Sequence, residues 1–247
     1  MNDRNELINK LLNIICQATN PNSANSIFTY FIGHKEKNKC IYNLFADSFL
    51  SIHAYSVLMF DRCWSQAGAI LRTAIEQIST LTVLVNNEQA MNDYLALDNL
   101  KRQYYQIEAA EECEKFVKEH NLPKDDYSRK AYFDYSWIRT ITKKHKFSYK
   151  DIVKEARLDE VIGDVDVVLN KFVHGKLTIF DFSGPDGSWD VMKKYGRRAN
   201  MICAKLFDFL CCSYKKFTNE EEVTKVTNNM FIPFKTLYLE CLKINNS

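Results

Sequence analysis

Turn-forming residues are scarce in this chain of 247 residues, which has seven glycines and four prolines. An all-β protein of this length reverses direction many times and needs far more of both, so helix is favoured before any pattern is read. An excess of one charge is missing too: the formal net charge is +2. A protein that coats duplex nucleic acid carries a larger positive excess, so any nucleic-acid contact here has to be local. No run of eighteen apolar residues occurs, and the stretch from Met1 to Gln17 lacks a basic-then-apolar leader. The expectation is a protein that neither spans a membrane nor is secreted. Phosphate-binding glycine loops, dinucleotide-binding glycine motifs and a G-x-S-x-G elbow are all absent.

The eight cysteines (Cys16, Cys40, Cys63, Cys113, Cys203, Cys211, Cys212 and Cys241) show no C-x-x-C spacing. Most lie in apolar stretches and read as small core residues of a reducing compartment, which gives a cytoplasmic location as the expectation. No metal and no cofactor is expected. Glu108, Glu111, Glu112 and Glu114 lack the Glu-x-x-His pairs of a di-iron bundle.

What is present is ordinary globular composition, 46% hydrophobic and 26% charged. Apolar periodicity gives an all-α bundle of about seven or eight helices in one domain. A first helix covers about Arg4 to Ala18 and stops at Asn20-Pro21-Asn22-Ser23. A helical pattern from about Asn38 to Asn86 breaks near Asp61 to Ser65 into an antiparallel pair, although no breaker residue marks the point. One long helix is expected from about Glu88 to His120, then an irregular aromatic-rich stretch from Lys124 to Tyr149 with a short helix around Trp137. Helices over Tyr149 to Ala156 and Asp159 to His174 follow, the second closed by Gly175. Long helices over Trp189 to Phe217 and Glu220 to Lys243 complete the chain, the last kinked at Pro233.

Two helices carry polar residues where a plain bundle helix carries filler. On Gln66 to Val85 the apolar stripe is Ile70, Leu71, Ala74, Ile75, Ile78, Leu81 and Val85, with Arg72 and Glu76 nearly opposite. Their neighbours Ser65, Ala69, Thr73, Ser79 and Thr80 are small, so a second helix can come close and enclose both charges. The plain alternative is an exposed i,i+4 ion pair worth a few tenths of a kcal/mol, roughly. On the second helix Ile162, Val165, Val168, Leu169 and Phe172 face the core, and Gly163, Asp166, Asn170 and His174 lie opposite. That face is either solvated, with His174 favoured by the helix dipole, or packed against Arg72 and Glu76. In the packed case His174 is an acid/base, Arg72 a cation for phosphate, Asn170 a positioning group and Glu76 an orienting carboxylate.

The pair of motifs Ala67-x-x-Ile70-Leu71-Arg72-x-x-x-Glu76 and Leu169-Asn170-Lys171-Phe172-Val173-His174-Gly175 resembles a family of bacterial helical proteins, a domain of unknown function. That family is similar to the HEPN superfamily of helical ribonucleases and nucleotide-binding proteins of toxin-antitoxin and phage-defence systems. The likeness covers roughly Phe45 to Gly175, with a family-like core over about 38–217 and a C-terminal helix over 218–247. It implies a metal-independent endoribonuclease or other phosphoester-handling protein, a symmetric homodimer, and RNA, a nucleotide or a protein as partner, with no membrane involved. The signature arginine of such ribonucleases falls on Leu169, which cannot bind phosphate, so Arg72 would have to supply the cation.

The opposing reading is a non-catalytic binding module with Arg72, Glu76, Asn170 and His174 as a buried network. Lys193, Lys194, Arg197 and Arg198 make a basic patch on one helix, suited to guiding an RNA backbone if it is not simply solvated surface. A literal arginine-to-histidine match, Arg139 to His145, lies in a lysine-rich stretch and reads as coincidence among nine arginines and five histidines.

Overall fold

The computed structural model describes residues 2–20, 36–143, 147–163, 165–173, 190–217 and 232–246. Every regular element among them is helical, so the fold is all-α, in more segments than the seven or eight read from the pattern. The helices are α1 (Asn2–Ala18), α2 (Glu36–Phe60), α3 (Trp64–Asn86), α4 (Glu88–Tyr105), α5 (Ala110–Glu119) and α6 (Asp126–Tyr135). A 3-10 turn (Ser136–Ile138) leads into α7 (Arg139–Thr142). Then come α8 (Tyr149–Glu155), α9 (Asp159–Ile162), α10 (Val165–Val173), α11 (Asp190–Phe217) and α12 (Ile232–Asn246).

The hub is α3, against which α2, α4, α8, α10 and α11 all pack. Its stripe Leu71, Ala74, Ile75, Ile78 and Leu81 is completely buried, as the periodicity predicts, while Ile70 and Val85 sit at the edge of the core. Each buried leucine or isoleucine of the stripe contributes about 1.5–3 kcal/mol. By length and composition α3 is apolar enough to cross a bilayer, yet it is wrapped by its own chain, as a central core helix is. Phe45, Phe49, Ile52 and Tyr55 of α2 form the matching stripe. The two helices run antiparallel, since Ser51 donates to Gln77 at 2.8 Å across the hairpin. The amino-terminal α1 buries Ile8, Leu11, Leu12 and Ile15 and lies against α2, α11 and α12.

The hairpin turns at Arg62, which has φ 59°. The Cys63 amide bonds to the Leu58 carbonyl at 2.8 Å and the Arg62 amide to Met59 at 3.3 Å, which closes the last turn as a left-handed residue does. Asn121 and Arg157 end α5 and α8 in the same way, with φ 52° and 59°.

Three expectations need correction. The helix expected over Glu88 to His120 breaks after Tyr105, and α5 begins anew at Ala110 with Glu111 and Glu112 in its first turn, where they suit the helix dipole. Folding back lets Phe116 reach Tyr104, 6.1 Å away between ring centres, with Phe133 5.4 Å from the same tyrosine.

The stretch read as irregular before Tyr149 is mostly helical. The Asp125 side chain accepts from the Ser128 amide at 2.8 Å and starts α6.

The helix expected from Asp159 to His174 is interrupted at Gly163, where φ is +52°.

In the helix expected over Glu220 to Lys243, Pro233 is the second described residue, so the kink expected there falls at the edge of the described residues. Residues 218–231, over which that helix was expected to begin, lie outside the described residues, as do Gly175 and the alternating stretch after it.

Candidate functional site

The structure brings Arg72, Glu76 and Asn170 together. Arg72 and Glu76 stand one turn apart on α3, and the Arg72 Nη1 donates to Glu76 Oε2 at 3.1 Å. Arg72 Nε donates to Asn170 Oδ1 at 2.9 Å, joining α3 to α10 across 98 positions of sequence. This is the packed alternative, not the exposed ion pair: the Arg72 side chain is 12% exposed and that of Glu76 36%.

The close approach that makes this contact possible rests on Gly68, one turn before Arg72. A Cβ on Gly68 would lie 2.6 Å from Phe172 Cδ2, so α10 comes down onto bare backbone there. Leu169 and Val165 seal the same face against the core. Leu169, at the position where an arginine would complete the ribonuclease signature, is therefore a core residue with no access to a ligand.

Two residues of the cluster were not anticipated. Tyr149, the first residue of α8, lays its ring flat on the Arg72 guanidinium, 3.2 Å from ring centre to Cζ. That contact is a cation–π pair sheltered from water, of the kind worth about 2 kcal/mol. Tyr135, the last residue of α6, donates its hydroxyl to Glu76 Oε1 at 3.0 Å. Burial first, and the Glu76 carboxylate beside it, raise the Tyr135 phenol well above its ordinary value. Their stretch is aromatic and poorly periodic, so spacing gave no face to place them on. The capping box at Ser148 and Asp151, which fixes the start of α8 and hence the aim of Tyr149, is the one local signal that points to them.

His174 lies outside the described residues, and so do the side chains of Asp166, Lys193 and Lys194. Of the expected basic patch, Arg197 is half-buried and Arg198 exposed on α11. Arg198 reaches the turn before α10, with its Nη2 3.8 Å from where a Gly163 Cβ would stand.

Glu76 also borders a polar cleft of about 220 Å3 between α3, α4 and α6, with Asp98, Lys101 and Asp134 on its wall. Lys101 is bonded to Asp134 at 2.7 Å and Arg102 to Asp98 at 2.8 Å, so those acids are already paired. Among the described residues no three His, Cys, Asp or Glu side chains come together in a way that could hold a metal ion.

The cluster can hold helices in register. Three groups from three other helices converge on one α3 arginine and its paired glutamate. It offers little to an incoming anion, because Nε, Nη1 and one face of the guanidinium are occupied and a carboxylate stands beside it. Comparison with protein-family models, with curated proteins and with solved structures finds no match to this chain.

Proposed function

We propose that the chain is a non-catalytic helical binding module in which Arg72, Glu76 and Asn170, with Tyr135 and Tyr149, form a structural clamp. The observation that carries this reading is the occupancy of the Arg72 side chain: Asn170 on Nε, Glu76 on Nη1 and Tyr149 against its face. An arginine that binds phosphate presents its fork to the ligand. Here one nitrogen of each two-nitrogen edge is engaged, Nε by Asn170 and Nη1 by Glu76, and Glu76 would repel an approaching phosphate.

A double-mutant cycle of Arg72→Ala and Asn170→Ala, read by urea unfolding, tests the clamp. A charge-assisted bond between partly buried groups predicts a coupling energy of about 1.5–3 kcal/mol. Additive losses would remove Arg72 and Asn170 from any shared structural role.

A second reading keeps the chemistry. The same Arg72–Asn170 contact is what a phosphoester site needs if His174, four residues beyond Asn170, supplies the acid/base. Arg72 would then stabilise the phosphate, Glu76 would orient it, and Lys193, Lys194, Arg197 and Arg198 would guide an RNA backbone. A cytoplasmic homodimer in a stress or phage-defence system belongs to this reading. Cleavage of a mixed RNA pool by wild type, His174→Ala and Arg72→Ala at matched folding separates the two. Cleavage lost in both variants establishes the ribonuclease. No cleavage by wild type, or equal cleavage by all three, leaves the binding module.

A further inference from the structure

A second, larger opening lies apart from the Arg72 cluster. It is a cleft of about 570 Å3 walled by α4 on one side and by α6, the 3-10 turn and α7 on the other. Ala96, Leu97 and Leu100 of α4 face Tyr132 and Trp137 across it. Trp137 is fixed from behind: its Nε1 donates to the Asp134 carbonyl at 3.0 Å, and Tyr94 meets its ring edge-on with centres 5.6 Å apart. The wall is thus a rigid aromatic and aliphatic surface.

Arg139 and Lys143 also line the cleft. They stand one turn apart, tied by the Lys143 amide to the Arg139 carbonyl at 2.9 Å, and both are exposed. Neither side chain has an acid partner or side-chain hydrogen bond among the described residues. Elsewhere Arg72, Lys101, Arg102, Arg129 and Lys235 each hold a carboxylate. Asp93, the acid of this cleft, takes bonds from the Gln89 amide and the Thr140 hydroxyl, which tie it into the α4–α7 junction. The lining therefore carries two cations against one committed carboxylate.

We propose that this cleft binds one nucleotide unit, with the base against Tyr132, Leu100 and Ala96, which the buried Trp137 and Leu97 back, and the phosphate at Arg139 and Lys143. Two cations one turn apart, without acid partners among the described residues, can each take one of the non-bridging oxygens that a phosphate monoester and a phosphodiester both carry. The volume is within the range of small-ligand sites, and an aromatic wall accepts any base by stacking. Ser136 and Thr140 add hydroxyls for a sugar. The base-plus-phosphate chemistry is shared by a free mononucleotide and by one nucleotide of single-stranded RNA. The inference rests on the binding-module reading only in giving that module its ligand.

The test titrates the full chain with AMP, UMP, adenosine and ten-nucleotide oligo(A) and oligo(U), read by calorimetry and by tryptophan fluorescence. AMP or an oligonucleotide should bind and shift the tryptophan emission, adenosine should bind on the order of tenfold more weakly than AMP, and Arg139→Ala with Lys143→Ala should weaken the phosphate-bearing probe on the order of tenfold. Both residues are exposed, so unfolding midpoints should not move, and Lys154→Ala on α8 should bind as wild type does. Binding of AMP or UMP identifies the free nucleotide; binding of an oligonucleotide alone identifies the strand. No binding by any probe at millimolar concentration, or binding unchanged in the double variant, overturns the proposal. Neither outcome alters the coupling between Arg72 and Asn170, so failure here is distinguishable from failure of the clamp.

Discussion

Replacing Gly68 with alanine separates two opposed effects of known sign. In a helix interior the change ordinarily stabilises by about 1 kcal/mol, because alanine restricts the unfolded chain and favours helix. Here the new Cβ would stand 2.6 Å from Phe172 Cδ2 and 3.3 Å from its Cγ. The clash reaches the root of the ring, so rotating the far edge does not relieve it. Ordinary carbon contact needs about 3.5–4.0 Å, and the ring with its helix must retreat by roughly 1 Å.

Overpacking of this kind costs about 1–3 kcal/mol. The same retreat lengthens the Arg72–Asn170 bond from 2.9 Å, since Asn170 rides on the same helix as Phe172. Losing that bond adds about 1 kcal/mol or more. The net expectation is destabilisation of about 1–3 kcal/mol by urea unfolding, with Gly68→Ala becoming neutral or favourable when Phe172→Leu is made beside it. A variant more stable than wild type by the full helix-propensity gain would refute the close approach of α10 to α3, and the geometry of the clamp with it.

Two further outcomes follow from buried hydroxyls. Tyr55 donates to Asn200 Oδ1 at 2.6 Å in the core between α2 and α11, so Tyr55→Phe strands a buried amide and should lower stability by about 1–3 kcal/mol in thermal or urea unfolding. Tyr135 keeps its proton longer in the folded state than in the unfolded one, because burial and then Glu76 raise its phenol. A group with a raised folded value stabilises fully below its unfolded value and loses that contribution as pH rises beyond it. Stability should therefore fall as pH passes about 10, and Tyr135→Phe should flatten that fall by at most one proton in urea midpoints taken on either side. An unchanged alkaline slope would show that Tyr135 titrates freely in the folded protein.

The core was readable because a helix repeats every 3.6 residues, and the stripe from Leu71 to Leu81 follows that repeat without interruption. Helix ends were readable only where a residue of special backbone preference marked them. Arg62 and Arg157 adopt left-handed conformations that sequence rules reserve for glycine and asparagine, so the hairpin between α2 and α3 shows in its apolar pattern but not in its turn. Tertiary packing overrides the local penalty in both cases. At α4 and α5 the pattern itself misled: no breaker residue stands in Gln106-Ile107-Glu108-Ala109, and only the aromatic cluster of Tyr104, Phe116 and Phe133 explains why the chain folds back.

For the polar cluster the informative signal was the small residues, not the charges. Arg72 and Glu76 at i,i+4 fit any solvated helix face. The small positions Ser65, Ala69, Thr73, Ser79 and Thr80 beside them predict that another helix comes within reach, and α10 does so at Phe172, over Gly68, which that reading did not single out. Once backbones approach that closely, a charged side chain between them has to find partners from the incoming helices, since a half-buried guanidinium left unpaired would be strongly unfavourable. Asn170, Tyr149 and Tyr135 meet that requirement for the ion pair from three different helices. The arrangement fixes α6, α8 and α10 at one height along α3, where apolar packing alone tolerates sliding by a turn. Only a helix pairing that repeats this height satisfies the arginine, and that restriction on register is the physical content of calling the cluster a clamp.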